Sequence, residues 1–190
     1  MMRNTLDAIW GGPAQQAIYR ELLTAMSRPG TVVDLSDTVE NRSALVGVLA
    51  TVVDGEVGLA DPDGLVAETD WPLLEARRDE VSDANFVVVD GSLPPQDAFE
   101  PSLGTLSNPE QGATVLIVVG SLGDGELQLG FSGPGVDGTS ELCVGDLNLD
   151  WLIRREPWVE SFPMGVDVVL CSATCVAAIP RSTRVSWKVG

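Results

Sequence analysis

Histidine is absent from the 190-residue chain. Its absence removes Ser-His-Asp triads, Cys-His nucleophile pairs and every zinc site that needs an imidazole. Lysine occurs once, as Lys188, two residues from the last position and poorly placed for a Schiff base. Cysteine is limited to Cys143, Cys171 and Cys175, so any intramolecular pairing leaves one over and no disulfide framework is implied. No apolar run approaches the roughly 20 residues of a membrane helix, and "MMRNTLDAIWGG" lacks the apolar centre of a signal peptide. A soluble, cytoplasmic protein with no membrane partner is the expectation.

Cations are also scarce: 28 Asp and Glu face 11 Lys and Arg, a formal charge of −17. Nucleic-acid binders gain much of their affinity from cations on phosphates, so nucleic acid is not an expected partner. The acids recur from Asp7 to Asp167 in turns and on outer helix faces, as on a surface adapted to its solvent. Molar salt cuts the Debye length to about 3 Å and relieves self-repulsion. With Asp exceeding Glu and lysine nearly absent, the pattern suggests a halophilic, salt-accumulating microbe; an ordinary acidic protein is the alternative.

With 44% apolar residues and no linker or repeat, residues 1–190 are expected to form one domain. Pro13 suits a first helical turn, and Ile18, Leu22, Ala25 and Met26 continue at helical spacing up to "SRPG". "TVVDL" reads as a strand and "SALVGVLATVVD" as a buried helix through Leu45, Val48, Leu49 and Val52. "EVGLA" is a weaker strand, and "WPLLEARRDEV" a helix with its charges on one side. "NFVVVDG" runs through three valines without alternation, the signature of a strand buried on both faces. "ATVLIVVG" and "ELQLGFS" around "SLGDG" predict one antiparallel hairpin, and "GVDVVLC" and "CVAAIPR" around "SAT" a second. "LNLDWLIRREPWVESF" reads as a helix stopped near Pro157, and "RVSWKV" as a terminal strand. The expected fold class is α/β, with a mixed sheet flanked by helices.

"GPGVDG", Gly133 to Gly138, matches the glycine spacing of a dinucleotide loop. That loop needs a helix after it and backbone N–H groups aimed at phosphate; "TSELCVGD" is a poor helix, and Pro134 has no N–H. A tight turn ending a strand is the better reading. "CSATC" reads as two small residues at strand ends rather than a redox or metal pair, and the acidic turns lack calcium-loop spacing, so no metal is expected. The arginines Arg20, Arg28, Arg181 and Arg184 could take phosphate, or could hold carboxylates in ion pairs.

Taken in order, "YRELLTAMSRPG", "NPEQGATVLIV" (108–118), "GFSGPGV" (130–136), "FPMGVDVVL" (162–170) and "AIPRSTRV" (178–185) resemble the PhnH subunit family of the carbon-phosphorus lyase system. The five ordered blocks cover nearly the whole chain. The resemblance implies a fold like that of the pyridoxal-phosphate-dependent transferases without the cofactor lysine, hence no cofactor, and a homodimer that works with other lyase subunits. It implies a part in joining a phosphonate to C1 of the ribose of ATP, displacing adenine and giving α-D-ribose 1-methylphosphonate 5-triphosphate, with ATP a substrate of the assembly. No catalytic residue is implied for this subunit alone. Matching positions that carry chemistry are Arg20, Glu110, Asp167 and Arg181, candidates for contact with an anion or a partner. Gly133, Pro134 and Gly135 form a candidate loop, and Pro163, Gly165 and Pro180 are further matches. The competing functions are a stand-alone nucleotide-binding enzyme using that loop and a purely structural scaffold.

Overall fold

The computed structural model describes residues 7–189, so the reading of the extreme N-terminus as leaderless lies largely outside the described residues. A 3-10 turn at Ala8–Trp10 leads into α1 (Gly12–Ser27), with proline in its first turn as the sequence predicts. β1 (Val33–Asp34), α2 (Ser36–Val39) and α3 (Ala44–Val52) follow; α3 is capped by the Ser43 hydroxyl, which accepts from the Val46 N–H at 3.3 Å. Next come β2 (Gly58–Ala60), α4 (Trp71–Leu74), β3 (Arg77–Arg78) and β4 (Phe86–Asp90). After a 3-10 turn at Pro109–Gln111 lie β5 (Thr114–Val118), β6 (Ser121–Ser132) and β7 (Ser140–Gly145). α5 (Asp150–Val159), β8 (Asp167–Cys171), β9 (Cys175–Ile179) and β10 (Arg184–Val189) complete the chain.

Seven strands form a mixed sheet in the order β1-β9-β8-β5-β4-β2-β3, parallel from β8 to β3 and antiparallel through β9 and β1. The central strands are covered on both faces, as the valine run of β4 predicts. Val87, Val89, Val115, Ile117, Val168 and Leu170 point to one core, while Val88, Leu116 and Val169 point to the other. α1 and α3 supply Ile18, Ala25, Leu45, Val48 and Leu49 to the second core. Opposite them, α5 contributes Trp151, Leu152 and Trp158, and an antiparallel sheet ordered β10-β6-β7 adds Leu129, Phe131 and Leu142. The result is three layers: helices, the large sheet, and α5 with the small sheet.

Two expectations are corrected. β5 and β6 do not pair: β5 lies between β4 and β8 in the large sheet, whereas β6 pairs with β7 and β10. β5 is apolar on both sides and needs cover on both, so the chain crosses between layers over the few residues before β6. "WPLLEARRDEV" is not one helix, because Glu75 turns left-handed at φ 58° and Arg77–Arg78 becomes an edge strand parallel to β2. Its charges are used locally: Arg78 lies 4.2 Å over the Trp71 ring and pairs with Glu68 at 2.6 Å. α5 ends at Val159, near Pro157 as expected. The "CSATC" turn connects β8 to β9 as predicted, with Val168 opposite Ile179. Among the described residues, no helix is long and apolar enough to cross a membrane.

Candidate functional site

Thr114 at the start of β5 pairs in register with Asp167 at the start of β8, and β9 returns antiparallel to deliver Pro180 and Arg181 beside them. Arg181 then grips three segments. Its Nε and Nη2 donate to Asp167 Oδ2 at 3.1 and 2.6 Å, and its backbone N–H donates to Asp167 Oδ1 at 2.7 Å. Nη1 donates to the Pro109 carbonyl at 2.7 Å and the Pro163 carbonyl at 3.4 Å. The two side chains are 15% and 17% exposed, so water competes weakly for the pair. Of the two uses open to an arginine here, Arg181 serves an internal carboxylate.

Glycine makes this closeness possible. A Cβ on Gly112 would run into the Gly165 carbonyl and lie 2.9 Å from Arg181 Nη1, and one on Gly165, at φ +141°, would meet the Trp158 carbonyl at 2.8 Å. The Gly133–Gly135 turn packs on the other side: a Cβ on Gly133 would meet the Ser182 carbonyl at 3.1 Å, and Gly135 abuts the Ser27 carbonyl at the end of α1. Four of the five sequence blocks therefore meet at residues 180–184, and the first packs against Gly135 of the third.

Gly133 to Gly138 joins β6 to β7, a strand rather than a helix, so it presents no helix N-terminus to a pyrophosphate. The junction also sits at the N-terminal ends of the parallel strands β5 and β8, opposite to the carboxyl ends where open α/β sheets bind ligands. Arg20 stands on the exposed face of α1 and joins none of these contacts; Glu110 is exposed on the 3-10 turn above Arg181, which bonds its neighbour Pro109. Arg42, Arg77 and Arg78 are also in ion pairs. Cys171 is buried, and burial pushes its thiol up to about 12; an inert strand-end residue results. No three Cys, Asp or Glu cluster as a metal site among the described residues.

Two residues bordering the junction escape the sequence reading. Arg155 lies on the inward face of α5 and Thr183 in the turn before β10; they are 4% and 2% exposed. Arg155 Nη2 donates to the carbonyls of Pro180 at 2.7 Å and Thr183 at 3.2 Å. Both residues line a groove of about 570 Å³ between α5 and the β10 edge, walled by Leu152, Val159, Phe162, Val185 and Trp187. The available signal was Arg155 itself: positions 151, 155 and 158 share one helix face, and Trp151 and Trp158 make that face apolar.

Fold and site define a small three-layer α/β protein whose central arginine binds loops together. The family of bacterial phosphonate metabolism proteins, PhnH, matches residues 10–186, and the chain belongs to it. Two relatives span almost the same length. The "Putative C-P lyase subunit protein HtxG" of Stutzerimonas stutzeri is 42% identical over 180 residues, 95% of this chain and 90% of its own. The "Alpha-D-ribose 1-methylphosphonate 5-triphosphate synthase subunit PhnH" of Rhizobium meliloti (strain 1021) is 26% identical over 185 residues, 89% of this chain and 88% of its own.

Proposed function

We propose that the chain is a non-autonomous subunit of a carbon-phosphorus lyase assembly, taking part in the synthesis of α-D-ribose 1-methylphosphonate 5-triphosphate from ATP and a phosphonate. The observation that carries this reading is the 42% identity over 95% of the chain with a protein named as a C-P lyase subunit. The geometry agrees: Arg181 and Asp167 form an internal clamp, and the glycine loop lacks the helix of a nucleotide site, which weakens the stand-alone alternative. Exposed Arg20 and Glu110 are the contacts we assign to partner subunits, with the Arg181–Asp167 clamp holding the turn that carries Glu110.

The same reading takes residues 1–190 as one domain, related to the pyridoxal-phosphate transferase fold without its lysine, needing no such cofactor, paired as a homodimer in a saline cytoplasm. The test is co-purification: the chain, expressed with the other lyase subunits of its host in molar KCl, is expected to elute with them as one complex. Elution on its own, with the other subunits assembled, overturns the reading.

A further inference from the structure

Arg155 carries a buried charge that nothing in the described chain neutralises. Its Nε has no hydrogen-bond partner, and no carboxylate pairs with it among the described residues. Thr183 Oγ1, beside it, is likewise buried without a partner. Elsewhere the fold does otherwise: buried Asp70 is met by Arg42, and Asp167 by Arg181. With 28 acidic residues in the chain, the missing counter-charge is not for want of carboxylates. Burial holds Arg155 down at about 10; the one carboxylate that opposes this is Asp167, already gripped by Arg181. A buried charge and a buried hydroxyl left unpaired side by side are each costly.

The surroundings describe what would satisfy them. Both residues line the 570 Å³ groove, a volume that suits a small organic molecule and far exceeds an inorganic ion. Phe162, Val185 and Trp187 give it apolar walls. Its other charged lining residues are Arg181, committed to Asp167, Arg184, and the carboxylates Glu156 and Glu160. A polyphosphate would therefore meet acid, whereas a single oxyanion head needs only Arg155.

We propose that this groove binds a small organic oxyanion, a phosphonate or a carboxylate, whose head supplies the counter-charge of Arg155 and a partner for Thr183 Oγ1 while its body lies against Val185 and Trp187. Both polar atoms are sealed from water, so the head is reached through a rotation of Thr183 and a small outward shift of Arg155. The site belongs to the isolated chain and does not rest on the subunit reading.

Calorimetric titration of the purified full chain, with Trp fluorescence as a second readout, tests it using phenylphosphonate, benzoate, inorganic phosphate and ATP. Saturable one-site binding of phenylphosphonate or benzoate is expected, and whichever binds more tightly identifies the head. Inorganic phosphate and ATP are expected to bind more weakly, the first lacking a body and the second carrying too much charge. Thr183→Val removes only the hydroxyl; it is expected to lower affinity about tenfold, the size of one hydrogen bond to a charged group, without lowering the melting temperature. Arg155→Met is expected to abolish binding. No saturation with either organic anion, unchanged affinity in Thr183→Val, or ATP binding more tightly than phenylphosphonate each overturns the proposal. A partner's carboxylate as the true occupant would appear as the first of these results.

Discussion

Replacing Arg181 by Gln removes the cation that holds three loops at the ends of β5 and β8. The lost interactions are the bonds from Nε and Nη2 to Asp167 at 3.1 and 2.6 Å and the bond from Nη1 to the Pro109 carbonyl at 2.7 Å. Breaking a fully buried ion pair by removing one partner costs about 3–5 kcal/mol. Here the side chains are 15% and 17% exposed, the Arg181 N–H still bonds Asp167, and Gln retains one donor group, so about 3 kcal/mol is the expectation. For a chain of this size that is a fall in Tm of roughly 6–12 °C. Thermal and urea unfolding, followed by Trp fluorescence, measures it for Arg181→Gln, Asp167→Asn and the double variant. The cycle should return a coupling of about 1–3 kcal/mol. A Tm within 2 °C of the parent, or a coupling of zero, would refute the clamp.

Gly112→Ala, which drives a Cβ into the Gly165 carbonyl, is expected to cost about 1–3 kcal/mol by urea midpoint; Gly12→Ala, with nothing within 4 Å of the new methyl, should cost nothing measurable. At Cys171 the folded thiol is raised to about 12 while the unfolded thiol titrates near 9.0, so the unfolded state loses its proton first and stability falls with rising pH through that window. The slope approaches about 1.4 kcal/mol per pH unit and should flatten in Cys171→Ala, measured by urea unfolding from pH 8 to 10.5; an equal slope in both proteins counts against it. In native protein at pH 8, Cys143 and Cys175 should react with a thiol reagent and Cys171 only after unfolding. Raising KCl from about 0.1 to 1 M shortens the Debye length from about 10 to 3 Å, so Tm should climb; a flat Tm would remove self-repulsion of the −17 charge as a factor.

The legible parts are those whose pattern is complete within a few residues. α1 and α3 show helical spacing with start signals, β4 shows burial on both faces, and β8 and β9 flank a short turn between apolar runs. The β5–β6 pairing fails because two adjacent apolar runs do not say whether they share a sheet, and the burial of Val115, Leu116 and Ile117 on both sides sends β5 to the centre of the larger one. The 71–81 helix fails because edge pairing of Arg77 and Arg78 with β2, over 18 residues away in sequence, outweighs a weak local preference. At the site, Arg181 and Asp167 are reachable through the family resemblance, but the reason they act together, the register of β8 with β9, is a tertiary fact.

By itself the sequence determined that imidazole chemistry is excluded, through the missing histidine, and that Pro134 has no N–H to offer a phosphate, because these follow from composition and covalent structure. Only the tertiary structure decided that three separated blocks meet at Arg181, and that Arg155 and Thr183 carry buried polar atoms without partners beside a groove. The physical reason is that pairing and burial of charge depend on which distant segments arrive at the same place.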